Sequence, residues 1–110
     1  MCICVDYGSL DEWLHVTKTI AKSVLDEKLT LDDIDMDTLE SALYTKGLPP
    51  VDFLIRTSGE QRLSNFLLLQ SAYAELYFTD VLWPDFKPKQ FKRALKAYQK
   101  RSRKFGAVKG

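Results

Sequence analysis

Short apolar segments separated by polar turns and amphipathic stretches indicate an α/β protein. The segments Met1–Val5, Val51–Arg56 and Ala74–Phe78 are predicted to form strands, because continuous apolar runs are typical of strands that are buried on both faces. With the helical stretches between them, the order of elements is β-α-α-β-α-β-α. This order predicts a mostly parallel sheet flanked by helices on both faces.

Four stretches are predicted to be helices, and the first and last of them carry their apolar residues on one face. The first is Leu10–Leu25, in which Trp13 is expected to anchor the core. Ser9 precedes this helix and Glu12 follows three residues later, which is the spacing of a capping box. His15 lies off the apolar stripe and is expected to be exposed, and it has no nucleophile near it in sequence. The other predicted helices are Met36–Tyr44, Leu63–Tyr73, and a last helix that begins at Pro88 and carries Phe91, Ala94, Leu95, Tyr98, Ser102 and Phe105 on one face.

An acidic connector, Leu29–Asp37, joins the first two helices. Its aspartates could be taken for a metal cluster. The favoured interpretation is a solvated loop in which one Asp caps the next helix. The aspartates are Asp32, Asp33, Asp35 and Asp37.

The segment Val51–Leu69 predicts a buried strand, a tight cationic turn and then a helix. Free backbone N–H groups and the helix dipole at such a junction favour anions. Arg56 and Arg62 bracket the turn, and guanidinium groups bind phosphate oxygens two at a time. Gly59 can adopt a positive φ, and Ser64 at the helix start could cap the helix or donate to a phosphate oxygen. The pattern suggests a phosphate or diphosphate site.

A second interpretation of the same residues stays open at this point. Arg56 could pair with Asp52 or Glu60, and Ser64 or Asn65 could act only as a helix cap. The glycine pattern is not of the Walker type.

Glu75 is a carboxylate at the start of an apolar strand. It could form a salt bridge or occupy an edge position. It could also be a magnesium ligand, since Mg²⁺ in proteins often takes one or two carboxylates together with substrate phosphate oxygens.

Charge is distributed unevenly along the 110 residues. Residues 1–86 contain 6 Lys and Arg against 15 acidic residues, a net charge of −9, and residues 87–110 contain 10 Lys and Arg and no acid, a net charge of +10. The C-terminal segment would therefore attract an anionic partner. One function class that this suggests is a small basic module that binds nucleic acid or membranes. The cationic face, however, lacks the interleaved aromatic residues that stack on bases.

Cys2 and Cys4 are the only cysteines. They are expected to be small core residues of a reduced, cytosolic protein, because two sulfurs without a nearby third ligand fall short of a zinc site. No apolar run approaches the roughly 20 residues that cross a bilayer, and no secretory leader is expected, since the start lacks a basic region. The length corresponds to one domain at most.

Three segments in the right order resemble the C-terminal half of the cis-prenyltransferases, the undecaprenyl diphosphate synthase family. They are IRTSGEQRLSNF (55–66), YAELYF (73–78) and WPDF (83–86). The resemblance implies an enzyme that joins isopentenyl diphosphate to an allylic prenyl diphosphate with cis geometry to make a polyprenyl diphosphate. It also implies a cytoplasmic homodimer, possible contact with anionic membranes, and no nucleic-acid partner.

The same resemblance implies roles for individual residues. Arg56, Arg62 and Ser64 match the residues that hold the diphosphate of isopentenyl diphosphate, with Glu60 and Asn65 in supporting positions. Glu75 matches a glutamate that helps to hold Mg²⁺. No residue of this chain is assigned a catalytic role.

The departures from the family pattern are as informative as the matches. The Asp-Gly-Asn-Gly-Arg loop and the Ser-Thr-Glu-Asn segment are absent. Asp6–Leu10 stands where the family has Asn-Tyr-Gly-Gly-Arg, and Lys104–Gly106 replaces the closing Arg-x-Gly. Residues 1–110 are therefore predicted to be the C-terminal portion of one such domain, inactive alone. The alternative is a non-catalytic partner subunit of a two-component cis-prenyltransferase.

Overall fold

The computed structural model describes residues 1–101. The chain divides into two compact units, one from Met1 to Pro49 and the other from Pro50 onward. The predicted helical positions Ser102 and Phe105, and the segment Lys104–Gly106, lie outside the described residues. Within the described part, none of the helices has the length and apolarity to cross a bilayer.

The first unit contains helix α1 (Ser9–Leu25), a short 3₁₀ turn (Leu31–Asp33) and helix α2 (Met36–Ala42). Asp35 caps α2, because its carboxylate accepts the backbone N–H of Thr38 at 2.9 Å. This confirms the interpretation of the acidic connector as a capped loop.

Glu12 is the centre of the first unit. Its side chain is fully buried. It accepts the hydroxyl of Tyr7 at Oε1 and the backbone N–H of Tyr44 at Oε2, the latter at 2.7 Å. The predicted capping box is therefore wrong: Gly8 is the N-cap, and Ser9 is the first helical residue. The Glu12 carboxylate thus satisfies the backbone N–H of Tyr44, which lies just after the end of α2.

The predicted strand Met1–Val5 is not a strand in the structure. Its residues are exposed, including Cys2 and Cys4, so the expectation that these cysteines lie in the core is wrong. A strand requires a neighbour for its backbone groups, and the described sheet pairs two other segments instead. Partial desolvation, and then the neighbouring Cys2, raise the pKa of the Cys4 thiol above its ordinary value.

Two side chains of α1, Trp13 and His15, were expected to be buried and exposed respectively, and only the second expectation is confirmed. Trp13 is 42% exposed, so it is not the core anchor of α1. Val16 and Leu43 are the buried apolar residues instead. His15 is exposed as predicted, and its ring stacks on that of Tyr44 with the centroids 4.8 Å apart.

The second unit is built on two parallel strands, β1 (Phe53–Arg56) and β2 (Glu75–Phe78). Phe53 pairs in register with Glu75, and Arg56 with Phe78. This confirms both predicted strands and their parallel direction. Helix α3 (Pro88–Gln99) begins with the predicted proline and packs against β2.

The apolar segment Leu63–Tyr73 forms a series of turns, so the helix predicted there is wrong. Ser64, Asn65 and Leu67 adopt φ values of 49°, 65° and 45°. These left-handed conformations interrupt a right-handed helix whatever the composition of the segment.

Two aromatic side chains stack on each other at the turn after β2. Trp83 and Phe86 flank a 3₁₀ turn, Trp83–Asp85, and their rings stack with centroids 5.9 Å apart. Phe86 is half-buried, but Trp83 is 69% exposed and does not bury against the sheet.

Candidate anion-binding site

A cavity of about 340 Å³ opens at the carboxyl end of β1. In parallel sheets this is the edge where ligands bind, because the strand ends and the following loops leave a crevice there. Two arginines and one serine line it together with apolar side chains. The lining residues are Leu54, Ile55, Arg56, Arg62, Leu63, Ser64 and Phe66.

Arg56 is the last residue of β1, and its half-buried side chain turns towards the loop that follows. Its Nη1 donates to the backbone carbonyl oxygen of Arg62 at 3.1 Å. Arg56 therefore fixes the position of the second arginine while keeping other guanidinium N–H groups for further acceptors.

The ion pair with Glu60 that the sequence allowed for Arg56 is formed by Arg62 instead. Its Nη2 lies 2.5 Å from Oε2 of Glu60. The two side chains are 66% and 38% exposed, so solvent screens the pair, and such pairs contribute about 1 kcal/mol or less. A more highly charged anion could displace Glu60 from Arg62 at little cost.

Gly59 has the positive φ that the sequence predicted. The close approach at this residue is made by another segment of the chain and not by a ligand. Gly59 has φ 73° and Ser58 has φ 68°. Their backbone N–H groups donate to the carbonyl oxygens of Thr79 and Val81, each at 2.9 Å. A Cβ on Gly59 would lie 3.2 Å from Oδ1 of Asp80. The close approach at this glycine is made by the segment after β2, and these two amides are engaged in holding the loop.

Ser64 and Asn65 are both exposed. Ser64 lines the cavity, but it does not cap a helix, because the segment that follows it is not helical. Asn65 is not among the lining residues of the cavity. The site therefore depends on guanidinium groups rather than on a helix dipole.

Glu75 lies at the opposite end of the sheet from Arg56. Parallel register places it beside Phe53, three residues before the pair of Arg56 and Phe78, or roughly 10 Å away along the strand. Its Oε2 accepts from Nη1 of Arg101 at 3.3 Å. Of the alternatives that the sequence left open, the structure shows the salt bridge.

Within residues 1–101, the donor set around Glu75 does not fit a Mg²⁺ ion. Among residues 1–101, no three His, Cys, Asp or Glu side chains come close enough to hold a metal. The Glu75 carboxylate is already paired with the guanidinium of Arg101.

Sequence reasoning missed two parts of the site's surroundings. One is the segment Thr79–Val81, whose carbonyl oxygens hold the arginine loop. The other is Arg101, which lies in a cationic run where no single residue stands out. Both act through contacts between segments that are far apart in the sequence, so no local pattern marks them.

A parallel strand pair with two arginines around one cavity at its carboxyl end defines an α/β protein with a candidate anion-binding site. Residues 1–106 match the family described as "Putative undecaprenyl diphosphate synthase". The chain belongs to this family of prenyltransferases.

Individual relatives agree with the family. The chain is 55% identical over 106 residues to a ditrans,polycis-undecaprenyl-diphosphate synthase of Pasteurella multocida, covering 96% of this chain and 44% of the relative. It is 47% identical over 106 residues to a tritrans,polycis-undecaprenyl-diphosphate synthase of Thermoplasma volcanium, covering 96% and 41%. The chain thus spans less than half the length of the curated relatives that it matches.

A solved structure shows the same fold. The crystal structure of lavandulyl diphosphate synthase from Lavandula x intermedia, in complex with dimethylallyl diphosphate, superimposes with a TM-score of 0.89 at 43% sequence identity. The match covers 93% of this chain and 44% of that structure.

Proposed function

We propose that this chain is the C-terminal part of a cis-prenyltransferase, and that it supplies the binding surface for the diphosphate of isopentenyl diphosphate. The complete enzyme would condense this substrate with an allylic prenyl diphosphate to make a polyprenyl diphosphate. The observation that carries the proposal is that Arg56, Arg62 and Ser64 line one cavity at the carboxyl end of β1.

The charges of the site suit a diphosphate. Arg56 and Arg62 supply two forked donors, and Ser64 adds a hydroxyl. Each charged hydrogen bond to such a ligand contributes about 1.5–3 kcal/mol. This exceeds what the exposed pair between Arg62 and Glu60 contributes, so a diphosphate would take the place of Glu60.

The apolar side of the cavity complements the rest of the substrate. Leu54, Leu63 and Phe66 line it next to the arginines. A five-carbon apolar tail attached to a diphosphate would lie against these side chains, while its charged end meets the guanidinium groups. Holding the donor in this way fixes it for reaction with a second substrate bound by other parts of the enzyme.

We propose that the complete enzyme requires Mg²⁺, and we do not propose this for residues 1–110 by themselves. Glu75 would then need further ligands from outside this chain, because its carboxylate is paired with Arg101 and no group of three potential metal ligands lies among residues 1–101. Asn65 keeps a supporting role at the edge of the arginine loop, whereas Glu60 occupies Arg62 until a diphosphate takes its place.

We further propose a cytoplasmic homodimer that touches anionic membranes. Helix α3 presents the exposed cations Lys89, Lys92 and Lys96, and Phe91 and Leu95 are exposed beside them. Light scattering would test the dimer, and sedimentation with vesicles of anionic or neutral lipid would test the membrane contact. A monomer, or equal binding to both vesicle types, would contradict these two parts of the proposal.

Calorimetric titration of the chain with isopentenyl diphosphate tests the main proposal. Arg62→Ala should weaken binding about tenfold or more, since it removes a charged, forked donor. Arg93→Ala is the matched control, because Arg93 is an exposed arginine on α3 outside the cavity. Equal losses in the two variants would show only non-specific attraction to positive charge and would contradict the proposed site.

A further inference from the structure

Thr79 is the residue at which the segment after β2 meets the arginine loop, residues 57–62. Its backbone N–H donates to the carbonyl oxygen of Arg56 at 3.0 Å. Its own carbonyl oxygen accepts the backbone N–H of Gly59 at 2.9 Å. The main chain of Thr79 is therefore bonded both to the end of β1 and to the middle of the loop that follows.

The side chain of Thr79 acts on the same loop through Val81. Its Oγ1 accepts the backbone N–H of Val81 at 3.3 Å, so a side chain closes this turn. The carbonyl oxygen of Val81 in turn accepts the backbone N–H of Ser58 at 2.9 Å. The Thr79 hydroxyl thus orients the acceptor for one loop amide, and the Thr79 carbonyl is the acceptor for the next.

The two loop amides belong to residues in a left-handed conformation. Ser58 and Gly59 have φ values of 68° and 73°. A residue other than glycine keeps such a conformation where neighbouring contacts hold it. Both residues are exposed, so burial in a core does not hold them. The hydrogen bonds to the segment after β2 are the contacts that do.

The conformation of the loop decides where the second guanidinium lies. Arg56 is fixed by β1, whereas Arg62 is carried by the loop and is exposed. We propose that Thr79 is a positioning residue for the anion site. It is not among the residues that line the cavity, and its hydroxyl holds the loop so that Arg56 and Arg62 face one ligand. This inference rests on the proposed function, because it takes a diphosphate to be that ligand.

Thr79→Val tests the inference, since it replaces the hydroxyl by a methyl group and leaves the branched shape. In hydrogen-exchange NMR of the 110-residue chain, the Ser58 and Gly59 amides should exchange about threefold faster or more. In titration calorimetry, isopentenyl diphosphate should bind about threefold more weakly or worse. Thr17→Val is the matched control: it removes an exposed hydroxyl on α1 that donates to the Trp13 carbonyl oxygen, and it should change neither value.

A conservative variant separates positioning from a general loss of stability. Thr79→Ser keeps the hydroxyl, so it should exchange and bind within about twofold of wild type. The inference is overturned if Thr79→Val matches wild type in both measurements, if only its exchange rates change, or if Thr79→Ser loses as much as Thr79→Val.

A measurement on the wild-type chain keeps the test open if Thr79→Val fails to fold by circular dichroism. A ligand that binds only the held loop must stabilise the contacts that hold it. Saturating isopentenyl diphosphate should therefore slow exchange of the Ser58, Gly59 and Val81 amides about threefold. Binding without this protection would overturn the inference. A wild-type chain that does not bind the ligand would contradict the proposed function, and the exchange rates in Thr79→Val would still decide whether Thr79 holds the loop.

Discussion

Nη1 of Arg56 donates to the backbone carbonyl oxygen of Arg62 at 3.1 Å, so the first arginine of the loop holds the second in place. The two residues lie at the two ends of a polar turn and line the same cavity. Their roles therefore differ: Arg56 organises the loop, and Arg62 is the more exposed of the two.

Substituting Arg56 by lysine should separate charge from geometry. Lysine keeps the positive charge but offers a point charge in place of a fork, so it cannot serve the Arg62 carbonyl and a diphosphate equally well. We expect about tenfold weaker binding of isopentenyl diphosphate and faster amide exchange in residues 57–62. Titration calorimetry and hydrogen-exchange NMR measure the two effects. Wild-type values in both would show that Arg56 contributes charge alone.

Removing the carboxylate of Glu60 should strengthen anion binding. In Glu60→Gln, Arg62 loses its charged partner, and the ligand no longer has to displace it. We expect an increase in affinity for isopentenyl diphosphate of about two- to fivefold at low salt, which shrinks as ionic strength rises. Glu40→Gln, at an exposed position on α2, removes the same charge in the first unit. Weaker binding in Glu60→Gln than in this control would mean that Glu60 itself contacts the ligand.

Gly59→Ala should be more damaging than Gly47→Ala. Both glycines have positive φ, 73° and 84°, so each substitution carries a backbone cost of about 1–2 kcal/mol. Only at Gly59 does the new Cβ meet a neighbour, since nothing lies within 4 Å of the position at Gly47. We expect the extra loss in Gly59→Ala to be reduced when Asp80→Ala is added, and urea denaturation measures it. Equal losses at both glycines would show that Asp80 does not restrict the loop.

Glu12→Ala should destabilise the first unit by about 3 kcal/mol, because it removes a buried acceptor of two hydrogen bonds, from Tyr7 and from the Tyr44 amide. Glu12→Gln should lose less, since its amide oxygen can still accept one of them. Glu40→Ala is the exposed control and should stay within about 0.5 kcal/mol of wild type in urea denaturation. If Glu12→Ala were as stable as this control, the carboxylate would not hold α1 to the segment after α2.

The sequence predicted the features that depend on local pattern. The two apolar segments around Phe53 and Leu76 became parallel strands, Asp35 became a helix cap, and Arg56 came to lie at the carboxyl end of its strand. Apolar runs and capping residues extend over only a few positions, so one sequence suffices to recognise them.

The errors occurred where longer-range contacts decide the structure. Met1–Val5 has strand composition but no strand partner in the described sheet. Leu63–Tyr73 has helix composition, yet three positive φ values turn the chain. Glu75 pairs with a residue 26 positions away, in a run of cations that look equivalent in the sequence. Composition cannot reveal such contacts, because they depend on how separate elements pack.

The most direct test of the central claim is an experimental structure of the chain with isopentenyl diphosphate bound. We expect the diphosphate oxygens within hydrogen-bond distance of the guanidinium groups of Arg56 and Arg62, with Glu60 displaced from Arg62. A diphosphate bound elsewhere, with Arg62 still paired with Glu60 and Arg56 still on the Arg62 carbonyl, would contradict the account.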